Sequence, residues 1–181
     1  MNIDIEKIRK LSNSNIIVGK NKILEVIELA KNKSVLMVSS RRTFDLLKKD
    51  NKFKVFFKEV NILDNYFVSN YPDISKFEED IKNFKKFDYD FILAIGGGSS
   101  IDSAKVIKGL SPIYSDKNKF TKLLENINLI KPNDKMPNLV AIPTTAGTGS
   151  EVTPYATIWD FNKNKKYSIT ANWLIPNYSI I

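Results

Sequence analysis

The stretch AIGGGSSIDSAK (residues 94–105) holds three of the chain's seven glycines in a row. It follows the apolar run FILAI (residues 91–95), which predicts a buried strand, and it leads into a helix predicted over residues 100–110. Glycines at such a junction let the backbone turn tightly and let a ligand approach peptide N–H groups. The start of the helix, which Ser99 or Ser100 is expected to cap, favours a phosphate. The alternative is a purely structural tight turn.

The segments around this stretch alternate between strand and helix patterns. Helices are predicted over residues 43–49 and 73–84, and strands over residues 35–38, 54–57, 91–95 and 139–142. This order predicts an α/β fold with a mostly parallel, Rossmann-like sheet flanked by helices. Residues 155–159 and 166–170 flank DFNKN and predict a C-terminal β-hairpin. For residues 117–135 we expect a helix over 120–125 and then a loop.

Composition restricts the classes of function. The chain has 181 residues, 43% of them hydrophobic, and a net charge of +8. The positive charge comes mostly from lysines spread along the chain, which favours a solvated surface over nucleic-acid binding. No apolar run is long enough to span a bilayer, there is no apolar leader and there is no cysteine, so a cytoplasmic protein without a membrane segment is expected. The lack of histidine removes the commonest general base and metal ligand.

A second motif, IPTTAGTGSEVT (residues 142–153), follows another predicted strand. Its hydroxyl groups and small residues suit a loop that hydrogen-bonds a polar ligand. Taken alone, such a loop is most often only a loop. Two of them at the carboxyl ends of strands in one sheet indicate a common binding site, because open α/β sheets bind their ligands there.

Together, GGGSSIDSAK and PTTAGTGSEVT resemble the iron-containing, group III alcohol dehydrogenase family over essentially the whole chain. The resemblance covers the first half of such an enzyme. It implies that residues 1–181 are an N-terminal dinucleotide-binding domain, and that the all-helical second domain of the family is absent. We therefore expect a truncated chain. Dehydroquinate synthase and glycerol-1-phosphate dehydrogenase fit the second motif less well.

The resemblance also implies which residues bind the cofactor. Asp102 would lie near the cleft between the two domains, although it could instead complement the helix N-terminus. Lys166 would reach the cofactor, although a surface charge is the alternative. Four residues would bind the pyrophosphate: Gly96, Gly97, Gly98 and Ser99. Five would line the ribose and nicotinamide side: Thr144, Thr145, Thr148, Glu151 and Val152.

The family's catalytic metal, Fe²⁺ or Zn²⁺, is held by one aspartate and three histidines of the helical domain. Those ligands would follow residue 181, so the metal is expected only in the full-length protein, and this chain alone is expected to be inactive. The family reaction is hydride transfer between the nicotinamide and a carbonyl carbon, with the metal polarising the carbonyl oxygen.

The sequence after the first predicted strand bears on the choice of cofactor. Many NAD-dependent family members carry an aspartate there, whereas this chain has Ser39, Ser40, Arg41 and Arg42. Hydroxyl and guanidinium groups accept a 2′-phosphate that a carboxylate would repel. NADP is therefore favoured over NAD, with ordinary surface arginines as the alternative. Tyr71 stands where the family commonly has asparagine before a proline, which weakens the expectation of a cofactor contact there.

The hairpin sequences ATIWD and KKYSI resemble the phosphonoacetaldehyde reductase branch of the family. The expected partners are thus a nicotinamide dinucleotide and a small aldehyde or alcohol, and a homo-oligomer is compatible with the sequence. Generic reduction of small aldehydes is the alternative substrate class. A non-catalytic nucleotide-binding module is the alternative function.

Overall fold

The computed structural model describes residues 13–69, 71–80, 89–110 and 136–181. Its strands are β1 (Asn15–Ile17), β2 (Val35–Ser39), β3 (Ile62–Phe67), β4 (Phe91–Gly96), β5 (Asn138–Pro143), β6 (Tyr155–Asp160), β7 (Lys165–Thr170) and β8 (Tyr178–Ile180). Its α-helices are α1 (Glu25–Leu29), α2 (Arg41–Lys49), α3 (Asn51–Glu59), α4 (Ile74–Asp80) and α5 (Gly98–Leu110). Short 3₁₀ turns lie at Lys22–Leu24 and Asn172–Leu174. Within these ranges, no helix combines the length and apolar character needed to cross a membrane.

Six strands form one parallel sheet in the order β1-β8-β5-β4-β2-β3, and β6 and β7 form a separate antiparallel hairpin. The predicted α/β class, the parallel sheet and the C-terminal hairpin are confirmed. From β2 the chain runs outward to β3 and then returns to β4 on the other side of β2. The strand order therefore reverses between β2 and β4, and the crevice at such a reversal is where open α/β sheets bind ligands.

The two central strands are buried at every residue, VLMVS in β2 and FILAIG in β4. Alternate side chains enter two separate cores because successive residues of a strand point to opposite faces. On one face Leu36 packs in a core with Ile101 of α5, and on the other Met37 packs in a core with Phe44 of α2 and Phe56 of α3. Helices thus cover both faces, as a parallel sheet requires.

The prediction of a strand over residues 54–57 is wrong, because these residues lie within α3. The apolar run misled because Phe53, Phe56 and Phe57 also have helical spacing, and all three contribute to the same core. The Asp50 carboxylate caps the helix by accepting from Lys52 N at 2.8 Å. The strand at this place in the fold is β3, whose sequence ILDNYF is too polar for a buried run because it forms the edge of the sheet.

The first turns of two helices differ in detail from the prediction. Helix α5 begins two residues earlier than expected, and Ser100 N and Ile101 N both donate to Gly97 O. Ser99 and Ser100 therefore lie inside the first turn instead of capping it from outside. Helix α2 begins at Arg41, with Ser40 as its N-cap.

The remaining differences concern the short helix α1 and the short strands β1 and β8, which were not predicted, and the residues that the structure does not describe. Strands β1 and β8, three residues each, were not predicted, because three residues carry too little pattern. Helix α4 confirms the described part of the helix predicted over residues 73–84. Residues 81–84 and the predictions for residues 117–135 lie outside the described residues.

Candidate functional site

Two loops meet at the carboxyl end of the parallel sheet. We call residues 96–98 the glycine loop and residues 144–153 the threonine loop. They are adjacent because β4 pairs with β5 up to the last residue of each, Gly96 opposite Pro143. Thr144 N donates to Gly96 O at 3.0 Å, which joins the two backbones. The structure thus brings together the two motifs that the sequence singled out.

The glycine loop leaves no room for side chains. A Cβ on Gly96 would overlap Ser100 Oγ, and a Cβ on Gly97 would lie 3.0 Å from Thr145 Oγ1. A Cβ on Gly98 would lie 3.4 Å from Thr148 Cγ2. The backbone therefore forms the surface of this loop, at the N-terminus of a 13-residue helix whose dipole favours an anion.

The threonine loop presents its predicted residues in two groups. Thr144, Thr145 and Thr148 are exposed beside the glycine loop, whereas Glu151 and Val152 are partly buried farther along. Among the described residues, Glu151 Oε2 is buried and has no hydrogen-bond partner. The exposed hydroxyls are available to a polar ligand. The buried carboxylate oxygen of Glu151 is a polar group without a hydrogen-bond partner among the described residues.

Asp102 joins helix α5 to the threonine loop and the hairpin. Its Oδ1 accepts from Ser150 Oγ at 2.5 Å, and its Oδ2 accepts from Thr157 N of β6 at 3.0 Å. Both oxygens of this predicted site residue therefore accept a hydrogen bond from the protein itself.

The residues that follow β2 lie across the reversal of strand order from the glycine loop. Ser39 pairs with Ile95, directly before the glycine loop, and is 1% exposed. Within the described part of the chain its hydroxyl has no hydrogen-bond partner, which is unusual for a buried polar atom. The Ser40 hydroxyl caps α2 by accepting from Thr43 N at 3.0 Å. The exposed Arg41 guanidinium lies 3.8 Å from the centre of the Phe67 ring at the end of β3.

Lys166 lies on the hairpin and not on either loop. It is exposed on β7 opposite Trp159, and its ammonium is 5.4 Å from the centre of that ring. The hairpin itself is tied to α5 through Thr157 and Asp102.

Sequence reasoning missed Lys105, which follows Asp102 by three residues on α5. Its side chain is fully buried, and its ammonium donates to Thr153 O at 2.7 Å and to Tyr155 O at 2.6 Å. Burial lowers the pKa of Lys105 to about 8, while the negative charges of Asp102 and Glu151 act to raise it. The spacing of three places Asp102 and Lys105 on one face of the helix, and that spacing was the available signal.

The part of the chain that the structure describes does not fit a catalytic metal. The sequence contains neither histidine nor cysteine, and in the described ranges no three acidic residues cluster in a way that could hold a metal ion.

Comparison with known proteins gives one consistent family. A family model described as iron-containing alcohol dehydrogenase matches residues 13–181. The aldehyde-alcohol dehydrogenase 2 of Entamoeba histolytica is 33% identical over 167 residues, which cover 88% of this chain and 19% of that protein. The phosphonoacetaldehyde reductase of Streptomyces viridochromogenes is 35% identical over 99 residues, which cover 51% of this chain and 24% of that protein. The chain thus spans less than a quarter of either relative.

Solved structures show the same fold. An iron-containing alcohol dehydrogenase from Thermotoga maritima matches with a TM-score of 0.73 and 27% identity, covering 93% of this chain and 46% of that one. A sulfoacetaldehyde reductase from Bifidobacterium kashiwanohense, solved in complex with NAD⁺, matches with a TM-score of 0.73 and 24% identity, covering 93% of this chain and 44% of that one. The match spans less than half of either solved chain.

Proposed function

This chain belongs to the iron-containing alcohol dehydrogenase family, and from that premise we propose that it binds a nicotinamide dinucleotide where the glycine loop and the threonine loop meet. It would serve as the cofactor-binding part of an enzyme that transfers a hydride between the cofactor and a small aldehyde or alcohol. One observation supports this most directly: two ligand-type loops converge at the carboxyl end of the sheet, beside the reversal of strand order.

The glycine loop fits a pyrophosphate because its surface is backbone. A Cβ at Gly96 or Gly97 would press on Ser100 or Thr145, so both positions remain bare backbone, and the α5 N-terminus supplies N–H groups and a favourable dipole. We propose that Gly96, Gly97, Gly98 and Ser99 hold the pyrophosphate. A pyrophosphate must approach the backbone N–H groups closely, and glycines without side chains allow that approach.

On the adenosine side we propose Ser39, Ser40 and Arg41. The buried Ser39 hydroxyl lacks a partner among the described residues, so a ribose hydroxyl or a 2′-phosphate oxygen would satisfy it. No carboxylate stands at this position to repel a phosphate, which supports a preference for NADP over NAD. Arg41 would have to leave the Phe67 ring to contribute.

On the nicotinamide side we propose the threonine loop and the hairpin. Exposed hydroxyls there can hydrogen-bond a ribose and a carboxamide, and Lys166 brings a positive charge. Asp102 holds the threonine loop and β6, and each of its oxygens accepts one hydrogen bond from the protein and can accept another from a ligand. The remaining residues proposed for this side are Thr144, Thr145, Thr148, Glu151 and Val152. When bound, the nicotinamide supplies or accepts the hydride.

We propose small aldehydes as substrates, with phosphonoacetaldehyde as the first candidate. The relative named phosphonoacetaldehyde reductase supports this choice, as do the hairpin sequences ATIWD and KKYSI. The family description supports iron as the metal of the enzyme. Since the described residues offer no metal site, we expect this chain alone to show no turnover.

Calorimetric titration of the chain with NADPH, NADH and ADP tests the proposal. All three should bind at one site, with NADPH binding most tightly. Assays of phosphonoacetaldehyde and acetaldehyde with the enzyme of which the chain is proposed to be a part test the substrate class. Failure of all three nucleotides to bind would contradict the proposed function.

A further inference from the structure

We propose that Lys105 is a positioning residue for the nicotinamide half of the site: from beneath the threonine loop, its ammonium fixes the backbone at which the loop joins the hairpin. This inference rests on the proposed function, because it assigns the threonine loop to the nicotinamide side. It assigns Lys105 no contact with the cofactor.

The first support is the pair of carbonyl groups that Lys105 holds. Thr153 O and Tyr155 O lie on either side of Pro154 and accept from the lysine at 2.7 and 2.6 Å. Pro154 has no N–H of its own, and its carbonyl accepts from Ala171 N at 3.1 Å, at the end of β7. Lys105 therefore supplies the donors for the two flanking carbonyls in this part of the chain.

The second support is that Asp102 holds the same segment from the same helix. Asp102 binds Ser150 and Thr157, and Lys105 binds residues 153 and 155, so contacts from one face of α5 bracket the junction of loop and hairpin. The exposed threonines lie at the other end of the loop, against the glycine loop. Releasing the junction would free the loop at one end while its contact with the glycine loop remained.

The third support is electrostatic. A fully buried lysine is rare and needs partners, because desolvation penalises its charge. Two carbonyls and the nearby carboxylates of Asp102 and Glu151 supply those partners. A Met side chain would fill similar space without a charge, so the charged donor is explained by the two carbonyls that it holds.

The chain provides a matched control in Lys108, one turn farther along α5. Lys108 is 4% exposed, and burial also lowers its pKa to about 8. Its ammonium donates to Asn177 Oδ1 at 3.0 Å, and the same oxygen accepts from Leu139 N at 2.9 Å. These contacts lie at the amino end of the sheet, opposite the candidate site.

The test compares Lys105→Met with Lys108→Met by titrating each with ADP and with NADH. ADP reports the glycine loop and the adenosine side, whereas NADH also needs the nicotinamide side. Lys105→Met should weaken NADH binding about tenfold and leave ADP binding unchanged, since the loss corresponds to one or two hydrogen bonds. Lys108→Met should change neither affinity. Lys105→Gln keeps an N–H donor and should recover part of the lost NADH affinity. If Lys105→Met does not fold, Lys105→Gln is compared with wild type in its place.

Two outcomes would overturn the inference alone. One is unchanged NADH affinity in a folded Lys105→Met variant or, if that variant does not fold, in Lys105→Gln. The other is an equal loss of ADP and NADH affinity, which would indicate a general structural role. If the wild-type chain bound neither ADP nor NADH, the proposed function would fail with the inference, so the two failures are distinguishable.

Discussion

The glycine loop and the threonine loop lie side by side, yet they are held by different means. The glycine loop is the direct continuation of β4 into α5, and its position follows from backbone hydrogen bonds to Gly97 O and Gly96 O. The threonine loop leaves β5 and is held by side chains of other elements, Asp102 and Lys105 of α5 and Ser179 of β8. A loop held by its own backbone can be identified from its own sequence. The conformation of a loop held by side chains of another element depends on the residues of that element.

The largest effect is expected from a side chain in the glycine loop. Gly97→Val should weaken ADP and NADH together, on the order of 100-fold, because it blocks the approach of the pyrophosphate to the backbone. Part of the change will be crowding against Thr145, since a Cβ at residue 97 would lie 3.0 Å from Thr145 Oγ1.

Calorimetry measures the ADP and NADH affinities of Gly97→Val, and thermal unfolding of the same sample shows whether the variant is folded. The matched control is Thr145→Ala, which removes the crowded partner and leaves the glycine in place. That variant should lower NADH affinity only slightly and leave ADP affinity unchanged. A folded Gly97→Val protein with normal ADP affinity would mean that the glycine loop is only a turn.

The same contrast explains which parts of the molecule the sequence predicted. Both loops follow strands whose apolar runs, 91–95 and 139–142, are long and clear, so their adjacency could be predicted from the rule for parallel sheets. Strand β3 could not be predicted, because its position at the edge of the sheet tolerates the polar residues Asp64 and Asn65. The run at residues 54–57 was mistaken for this strand because its pattern fits both a strand and a helix. Lys105 was missed because a lysine in a helix is ordinarily exposed, and only packing against the junction near Pro154 shows otherwise.

The next effect is expected outside both loops, at the end of β2. Ser39→Asp should lower the ratio of NADPH to NADH affinity by about 10- to 150-fold, since it replaces an attractive contact to a 2′-phosphate with a repulsive one. The control is Ser40→Asp, which keeps an N-cap on α2 and should change the ratio less.

Titrations of both Ser39→Asp and Ser40→Asp are to be made at one ionic strength, because salt screens the phosphate contact. Ser39 is buried, so thermal unfolding must show that the Asp variant is folded. A wild type that prefers NADH, or a ratio unmoved by Ser39→Asp, would contradict the assignment of the adenosine side.

The last effect is a pH dependence of stability beneath the threonine loop. Lys105 has a pKa of about 8 when folded, against an ordinary value of 10.5. Between these values the unfolded chain binds a proton that the folded chain does not, so the contribution of Lys105 to stability rises with pH from about 8 to 10.5. The gain is at most about 3 kcal/mol.

Urea unfolding at pH 7.5 and 9.5 measures this gain as a difference between wild type and Lys105→Met. The comparison cancels the titration of groups far from Lys105. Repeating it in a Lys108→Met background also removes Lys108, whose pKa the charge of Lys105 lowers. Wild type should gain stability relative to the variant as the pH rises. A difference that is independent of pH would show that the Lys105 ammonium is not held in the buried state described.

The most direct test of the central claim is a map of backbone amide shifts when NADH is added to isotope-labelled chain. If the dinucleotide binds where the two loops meet, the largest changes should fall at residues 97–100 and 144–149, with little change at residues 138–139 and 177–178 at the amino end of the sheet. Changes centred on that amino end, or no change in either loop at saturating NADH, would contradict the claim.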